Sequence, residues 1–247
     1  MKKILLSSLC ALFGASGAIA APSYLTRVDN GGYQVTYDYT DKAKSGWYVG
    51  GRAELSFLNW TNKYSSDYSG TVEEYNSDKY SFEQMFGGNL SAGYRFLYFW
   101  RAELEAGILG QFTDKDNSTE FGLTVPYVML NGYYDFTNNF YVGAGLGAAM
   151  PIKTLDYDNF IAGDRSKMSV SPMAGLMFGY AKELDDNLVL DIRYRLSGFY
   201  GGSQTRYFQE GTEVSPGVWE DVRDVYVENK IGLVLDNSIS IGLRYEF

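Results

Sequence analysis

Apolar and polar residues alternate over the last stretch of the chain, from Ile231 to Phe247. One face of this extended segment carries Ile231, Leu233, Leu235, Ile239, Ile241, Leu243, Tyr245 and Phe247, and only Asn237 breaks it. The other face is polar or small, with Asp236, Arg244 and Glu246 among its residues. A strand with lipid on one side and a polar lumen on the other has this period of two. The segment therefore predicts the last strand of a membrane-spanning β-barrel.

The same alternation recurs in seven earlier segments. They lie at about 47–59, 82–96, 99–112, 121–136, 140–150, 167–181 and 188–200. Short turns alternate with long polar loops at about 61–81, 113–120, 153–166 and 201–224. In the fourth segment we assign the even positions, including Val128 and Leu130, to lipid. We predict an all-β transmembrane antiparallel up-and-down barrel of eight strands over residues 46–247, with the termini and short turns on the periplasmic side.

The first 45 residues have a different pattern. Lys2 and Lys3 precede an apolar run that ends in Ala18-Ile19-Ala20, so residues 1–20 predict a cleaved secretory signal rather than a membrane anchor. Residues 21–45 contain an alternating run through Tyr33 and Tyr37. We interpret this segment as an N-terminal periplasmic extension. The alternative is a ten-strand barrel that uses this run.

Composition narrows the function further. After the signal, no apolar run is long enough for a transmembrane helix. The single cysteine, Cys10, lies inside the signal, which excludes a disulfide or a cysteine-based metal site in the mature chain. The net charge is −9 and becomes about −11 without Lys2 and Lys3, so nucleic acid is not an expected partner. We expect no cofactor and no metal site of defined spacing.

The inward positions of the predicted strands collect six acidic and six basic residues. They are Arg52, Glu54, Arg95, Arg101, Glu103, Glu105, Asp135, Asp191, Arg193, Arg195, Arg244 and Glu246. One interpretation is a selective pore lining. The other, which the balanced charge favours, is a plug in which the charges neutralise one another inside a narrow barrel. A row of glycines at 143, 145 and 147 would make room for bulky neighbours, and a filled lumen would exclude conduction.

Enzymatic function is not expected, because the chain contains no histidine to serve as a general base or acid. The carboxylate pair of Glu103 and Glu105 resembles the two catalytic carboxylates of a glycosidase, but it points into a packed lumen that a sugar cannot enter. The loops instead combine acidic residues with aromatic ones. Candidate contact residues are Tyr64, Tyr68, Tyr75, Tyr207, Phe208 and Trp219. They would either anchor a protein partner or extend the outer aromatic girdle.

Four motifs give the chain a family likeness. They are Gly46-Trp47-Tyr48-Val49-Gly50-Gly51, the segment 131–136, the segment 141–147 and the final segment 240–247. In this order the chain resembles the small outer-membrane β-barrels of the opacity-protein, Omp25-like and surface-antigen group of Gram-negative bacteria. The resemblance implies that Tyr245 and Phe247 form the signal read by the barrel-assembly machinery.

The resemblance also implies a surface-exposed protein that supports envelope integrity and, in pathogens or symbionts, contacts host cells. The sequence thus predicts a non-enzymatic barrel in the bacterial outer membrane, among lipid and lipopolysaccharide, that displays acidic, tyrosine-rich loops as a possible adhesin or surface antigen. A host or envelope protein would bind these loops. The alternative is a narrow porin for small solutes or ions, and fold analogy does not choose between the two.

Overall fold

A computed structural model describes residues 23–27, 33–37, 46–68, 71–96, 99–115, 119–157, 160–163, 166–216 and 218–247. The predicted signal sequence, residues 1–20, lies outside the described residues. The chain divides into two units, the first ending at Lys44 and the second beginning at Ser45. No helix in the described ranges has the length and apolar character needed to cross a membrane.

All the regular structure described is β-strand. The strands are β1 (Ser23–Arg27), β2 (Tyr33–Tyr37), β3 (Gly46–Tyr68), β4 (Thr71–Phe96), β5 (Trp100–Lys115), β6 (Thr119–Asp135), β7 (Phe140–Ala149), β8 (Ile152–Tyr157), β9 (Phe160–Gly163), β10 (Ser166–Met168), β11 (Ser171–Asp185), β12 (Leu188–Ser215) and β13 (Val218–Glu246).

Eight of these strands form a closed antiparallel ring. Strands β3 to β7 pair in sequence order, β7 pairs with β11, and β11 to β13 follow. The ring closes where β13 pairs with β3, from Glu246 opposite Tyr48 upward. Closure leaves no unpaired edge within the ring, which is the condition for a sheet in lipid. The predicted all-β barrel of eight strands is confirmed.

The N-terminal tyrosine run does not join this ring. Strand β2 pairs with β1 in a separate two-stranded sheet, with Ser23 opposite Tyr37 and Arg27 opposite Tyr33. The ten-strand alternative is therefore wrong. That residues 21–45 lie in the periplasm stays a prediction.

The predicted long loops are largely paired strands. The β3–β4 pairing continues to Tyr68 opposite Thr71, and the β12–β13 pairing continues to Ser215 opposite Val218. The short strands β8, β9 and β10 add to the rim by pairing with β6, β12 and β8. The loop prediction was wrong because both faces of these hairpins carry polar residues, which removes the hydrophobic alternation that identifies a strand.

The outer wall of the ring is apolar. Large hydrophobic side chains point outward from every ring strand: Trp47, Phe86, Leu90, Leu104, Leu130, Val142, Leu146, Leu176, Phe178, Ile192, Leu196, Leu233, Ile239, Ile241 and Leu243. Leu90 and Leu146 are more than two-thirds exposed, at 74% and 71%. An apolar surface of this extent is stable in lipid and not in water. The assignment of Val128 and Leu130 to lipid is confirmed, since Tyr127 and Met129 are buried.

Two outward assignments fail at β-bulges. Ile231 is fully buried, because the β13–β3 register shifts between Ile231 and Leu235 and reverses the faces. Phe112 packs against the buried core, beyond a register shift between Ile108 and Gln111. A bulge adds one residue to one strand, so the alternation changes phase without a change in composition.

The interior is filled in two layers. The layer toward the hairpins, here called the apolar layer, contains Leu58, Trp60, Met85, Leu109, Phe121, Leu123, Val125, Met129, Met173, Phe199, Val227, Ile231 and Val234. The layer toward the short turns, here called the charged layer, holds the arginines and carboxylates described below. Along β13 the inward residues change from Arg244 and Asp236 to Val234 and Ile231, so the two layers are stacked along the barrel axis.

Candidate functional site

The twelve charged residues predicted for the lumen all lie in the charged layer. Nine of them are at most 5% exposed: Arg52, Glu54, Arg101, Glu103, Glu105, Asp191, Arg193, Arg195 and Arg244. The other three, Arg95, Asp135 and Glu246, have side chains that are 12–20% exposed. The strand period places them inward, and closure of the ring brings together residues that are far apart in sequence.

Glu105 on β5 lies at the centre of this layer. Arg193 of β12 donates to both of its carboxylate oxygens, over 2.6 and 3.0 Å. Arg195 donates over 2.9 Å and the Tyr127 hydroxyl over 2.6 Å. Charge-assisted hydrogen bonds from two arginines and a phenol compensate a buried carboxylate for the water that it has lost. Glu105 therefore acts as a structural anion that joins β5, β6 and β12.

A second group joins the charged layer to the apolar layer. Arg195 forms an ion pair with Glu54, and its guanidinium lies 4.6 Å from the centre of the Tyr127 ring. The Asn89 amide donates to Glu54 over 2.9 Å. Asp236 approaches Arg195 at 3.7 Å and accepts a hydrogen bond from Ser197 over 2.9 Å.

A third group connects the opposite walls of the ring. Arg52 donates to both oxygens of Glu103, over 3.2 and 3.1 Å, and reaches Asp191 at 3.3 Å. Arg244 also reaches Asp191 at 3.3 Å. The Tyr141 hydroxyl donates a further hydrogen bond to Asp191 over 2.6 Å. These contacts join β3, β5, β7, β12 and β13 across the lumen.

The last group closes the layer near the short turns. Arg101 donates three hydrogen bonds of 2.8 to 3.0 Å to the Asp135 carboxylate. Its guanidinium also lies 4.6 Å from the Tyr133 ring centre and 4.9 Å from that of Tyr141. Arg95 binds Glu246 over 3.0 Å. Cation–π contacts of this kind stabilise an arginine that has left water.

Sequence reasoning missed two components of the network. Asp236 is fully buried, although the sequence analysis placed it on the polar face without including it among the lumen charges. The tyrosines at 48, 127, 133 and 141 are almost completely buried, at 1% exposure each. Their inward-facing positions in the strand alternation were the available signal, but tyrosine is also common in the aromatic girdles on the outside of barrels.

Glycines make room for three of these rings. Tyr48 lies directly opposite Gly93, Tyr133 opposite Gly143, and Tyr141 opposite Gly179. A Cβ atom added to any of these glycines would lie 2.3 to 2.4 Å from the facing ring. The predicted glycine row at 143, 145 and 147 thus accommodates Tyr133, Asn131 and Met129. Aromatic rings packed over glycine also fix the register of neighbouring strands.

The loop candidates are only partly described. Tyr207 is 39% exposed, and its hydroxyl donates to Asp224 over 2.6 Å. Trp219 is half-buried. The side chains of Tyr64, Tyr68, Tyr75 and Phe208 lie outside what the structure describes, although their backbones lie in β3, β4 and β12. Their role as contact residues stays a prediction.

The predicted assembly signal lies on the outer wall at the end of β13. Tyr245 and Phe247 are 47% and 69% exposed, and their ring centres are 5.2 Å apart. The Phe247 backbone amide donates to the Trp47 carbonyl over 3.1 Å, which connects the last residue to the first ring strand.

The layer is organised for mutual neutralisation. Glu103 and Glu105 each contact an arginine at hydrogen-bond distance and have no exposed surface, so a sugar has no access to them. Within the described residues, no group of three or more histidine, cysteine or acidic side chains is arranged to hold a metal ion. The geometry is that of an electrostatic filling rather than a reaction centre.

The closed ring, apolar wall and filled polar interior decide the architecture. The chain has the fold of an outer-membrane β-barrel. No protein-family model matches it. An uncharacterized protein of Brucella suis biovar 1 is 26% identical over 254 residues, covering 83% of this chain and 86% of its own.

Two solved structures have a similar course of the chain. The outer membrane protein OprG of Pseudomonas aeruginosa is 16% identical, with 83% of this chain and 97% of its own covered and a TM-score of 0.49. The Neisserial surface protein A is 19% identical, with 82% and 98% covered and a TM-score of 0.42. At these values the likenesses carry no argument about function, and the fold rests on the closed ring itself.

Proposed function

We propose that this protein is a non-enzymatic structural barrel of the bacterial outer membrane that displays its long hairpins at the cell surface. The observation that carries the proposal is the filled interior. The charged layer and the apolar layer follow one another along the axis, and both consist of side chains buried within the ring. The interior of a barrel of eight strands is narrow enough for its own side chains to fill it.

The narrow porin is disfavoured by the same observation. Conduction through the charged layer would require the Arg193–Glu105 and Arg52–Glu103 pairs to open. It would also require a water path through Met85, Leu109 and Phe199, which are at most 2% exposed. Both steps are costly, because the first leaves buried charges unpaired and the second hydrates an apolar interior.

The hairpins supply the part of the function that faces outward. The β12–β13 hairpin continues for thirteen residues beyond Gly202, and its described tip exposes Val214, Val218 and Val222 at about half of their surface. Exposed aliphatic and tyrosine side chains on a paired β-ribbon form an apolar surface that suits a protein contact. We propose that they serve as an adhesin or a surface antigen.

The C-terminal residues are proposed to direct assembly of the barrel in the membrane. We propose that Tyr245 and Phe247 are read by the barrel-assembly machinery, because both rings are exposed on the outer wall at the end of the last strand. Phe247→Ala would lower the amount of folded barrel in outer membranes. Phe82→Ala, which removes an equally exposed ring from the other end of the wall, is its matched control.

The experiment for surface display separates the hairpins from the barrel. Residues 207–226 are replaced by a two-residue Asn-Gly turn that joins Arg206 to its register partner Val227, and cells that carry this variant, wild type or no protein are compared. The proposal expects host-cell binding to fall to the level of cells without the protein, while resistance to detergent stays at the wild-type level. Unchanged binding by the trimmed barrel would contradict surface display by this hairpin.

A further inference from the structure

Three lysines lie together on the outer face just beyond the apolar wall. Lys63 of β3 is directly opposite Lys230 of β13 in the register. Lys79 of β4 is diagonal to Lys63, because Thr61 is opposite Lys79 and Lys63 is opposite Ser77. Directly opposite side chains in an antiparallel pair have Cβ atoms about 5 Å apart. The register thus gathers three positive charges on three adjacent strands.

The lysines point away from the interior. Each has a sequence neighbour on the inner face: Asn62 and Asn229 are fully buried, and Tyr80 stacks on the buried Trp60. Lys63, Lys79 and Lys230 are themselves exposed. Their ammonium groups therefore lie on the outer surface of the ring and not in the lumen.

Their height matches the edge of the apolar wall. Lys230 is three residues beyond Leu233, and Lys79 is three residues from Phe82, with Leu233 and Phe82 exposed at 61% and 70%. Three residues of strand span about 10 Å. Because barrel strands are tilted by about 40°, this span rises about 8 Å along the membrane normal, which is close to the ~5–8 Å thickness of one headgroup region.

Nothing described on this face neutralises the lysines. Lys63, Lys79 and Lys230 form no ion pair with the side chains that the structure describes. Glu228, the next outward acidic residue on β13, accepts a hydrogen bond from Ser203. Two like charges directly opposite each other destabilise a strand pair unless an anion lies between them. In a chain with a net charge of −9, three clustered lysines that form no ion pair with the described side chains point to an anionic ligand.

We propose that Lys63, Lys79 and Lys230 bind the phosphate groups of a phosphorylated glycolipid in the outer leaflet. Two lysines whose Cβ atoms are about 5 Å apart can both reach one phosphate with their flexible side chains, and Lys79 can reach a second oxygen of the same or a neighbouring group. The inference deepens the proposed function and rests on it, since it requires this rim to face lipid headgroups. It assigns the contact with lipopolysaccharide to three named side chains.

The test uses the full chain refolded in zwitterionic micelles and titrated by calorimetry with bisphosphorylated lipid A. Dephosphorylated lipid A and inorganic phosphate are the comparison ligands. The Lys63→Gln/Lys230→Gln variant is expected to bind bisphosphorylated lipid A about tenfold more weakly, and Lys79→Gln about threefold more weakly. Lys182→Gln, an exposed lysine next to the turn at the other end of β11, is the matched control and should bind as wild type.

Three results would overturn the inference. Wild-type affinity in the double variant would exclude the lysines, and equal affinity for dephosphorylated lipid A would show that acyl contacts alone bind. Equal affinity for inorganic phosphate would indicate a site for free anions instead of lipid. Heat-modifiable migration on gels checks that each variant folds. Failure here leaves the proposed function intact, because a silent, surface-displayed barrel does not depend on these lysines.

Discussion

Arg193 and Glu105 form a two-pronged ion pair across the lumen, with N–O distances of 2.6 and 3.0 Å and no exposed surface on either side chain. The pair joins β12 to β5, which are not neighbours in the ring. It holds opposite walls of the barrel together in a position where neither charge can be hydrated.

Removing one member of this pair should be strongly destabilising. Glu105→Gln removes the anion that Arg193 and Arg195 share, and leaves Arg193 with only the more distant Glu103 and Glu54, at 3.9 and 4.0 Å. Breaking a buried ion pair by removing one partner costs about 3–5 kcal/mol. The measurement is urea unfolding of the refolded barrel in lipid vesicles. The control is Lys115→Gln, which breaks the exposed Lys115–Glu120 pair at 3.4 Å and should cost less than about 1 kcal/mol. Equal losses in the two variants would contradict the role of the buried pair.

The fit of tyrosine over glycine makes a second prediction. Gly143→Ala places a Cβ atom 2.4 Å from the Tyr133 ring, which must move and disturb its hydrogen bond to Glu103. We expect a loss of about 1–3 kcal/mol in the same unfolding assay. Gly232→Ala is the matched control, because nothing lies within 4 Å of its added Cβ. A stable Gly143→Ala barrel would mean that Tyr133 is not packed against β7.

A third prediction concerns a hydrogen-bonded pair of polar side chains on the outer wall. The Tyr194 hydroxyl donates to the Asn237 side-chain oxygen over 2.8 Å, which satisfies the one polar residue that interrupts the apolar face of the last strand. Tyr194→Phe should destabilise the barrel by about 1 kcal/mol, because it leaves that oxygen in lipid without a donor. In an Asn237→Leu background the same change should have almost no effect. Equal effects in both backgrounds would refute the pairing.

The exposed hairpin carries a titratable pair. Hydrogen bonds from the Tyr207 hydroxyl and then from Gln209, at 2.6 and 3.0 Å, lower the pKa of Asp224, and the same bond to Asp224 raises the pKa of Tyr207. Tyr207→Phe should therefore raise the pKa of Asp224 in a carbon-13 NMR titration, whereas Tyr226→Phe should not.

The sign of the pH effect follows from the direction of this shift. Because the pKa of Asp224 is lower in the folded hairpin than in the unfolded chain, its contribution is present above the unfolded value. It is lost as the pH falls below about 4. Order at this position of the hairpin should decrease in that range, and an Asp224 pKa that does not respond to Tyr207→Phe would refute the contact.

The sequence predicted the barrel wall well because lipid requires an apolar outward face on every ring strand. Leu90, Leu146 and Leu243 point outward, as their alternation predicts. The prediction failed where that requirement ends. Beyond the wall, the sequences of β3 toward Tyr68 and of β12 toward Ser215 have polar residues at both alternating positions, so they show no hydrophobic period.

Within the lumen, the alternation along each strand indicated which residues face inward, but it did not indicate which of them contact one another. The pairing of Arg193 with Glu105 depends on ring closure and on strand stagger, and neither is encoded locally. Two members of the apolar layer, Ile231 and Leu109, were missed for a related reason. They lie at bulges, where one extra residue transfers a side chain from the wall to the core.

The most direct test of the central claim is single-channel conductance of the refolded barrel in a planar bilayer. Wild type, Arg193→Ala and Glu103→Ala are compared, with folding verified by heat-modifiable migration. The filled lumen predicts no stable current steps for wild type or for either variant, because the apolar layer blocks the axis even where a charge has been removed. Stable steps in wild type that either substitution alters would contradict the plugged barrel and establish a pore.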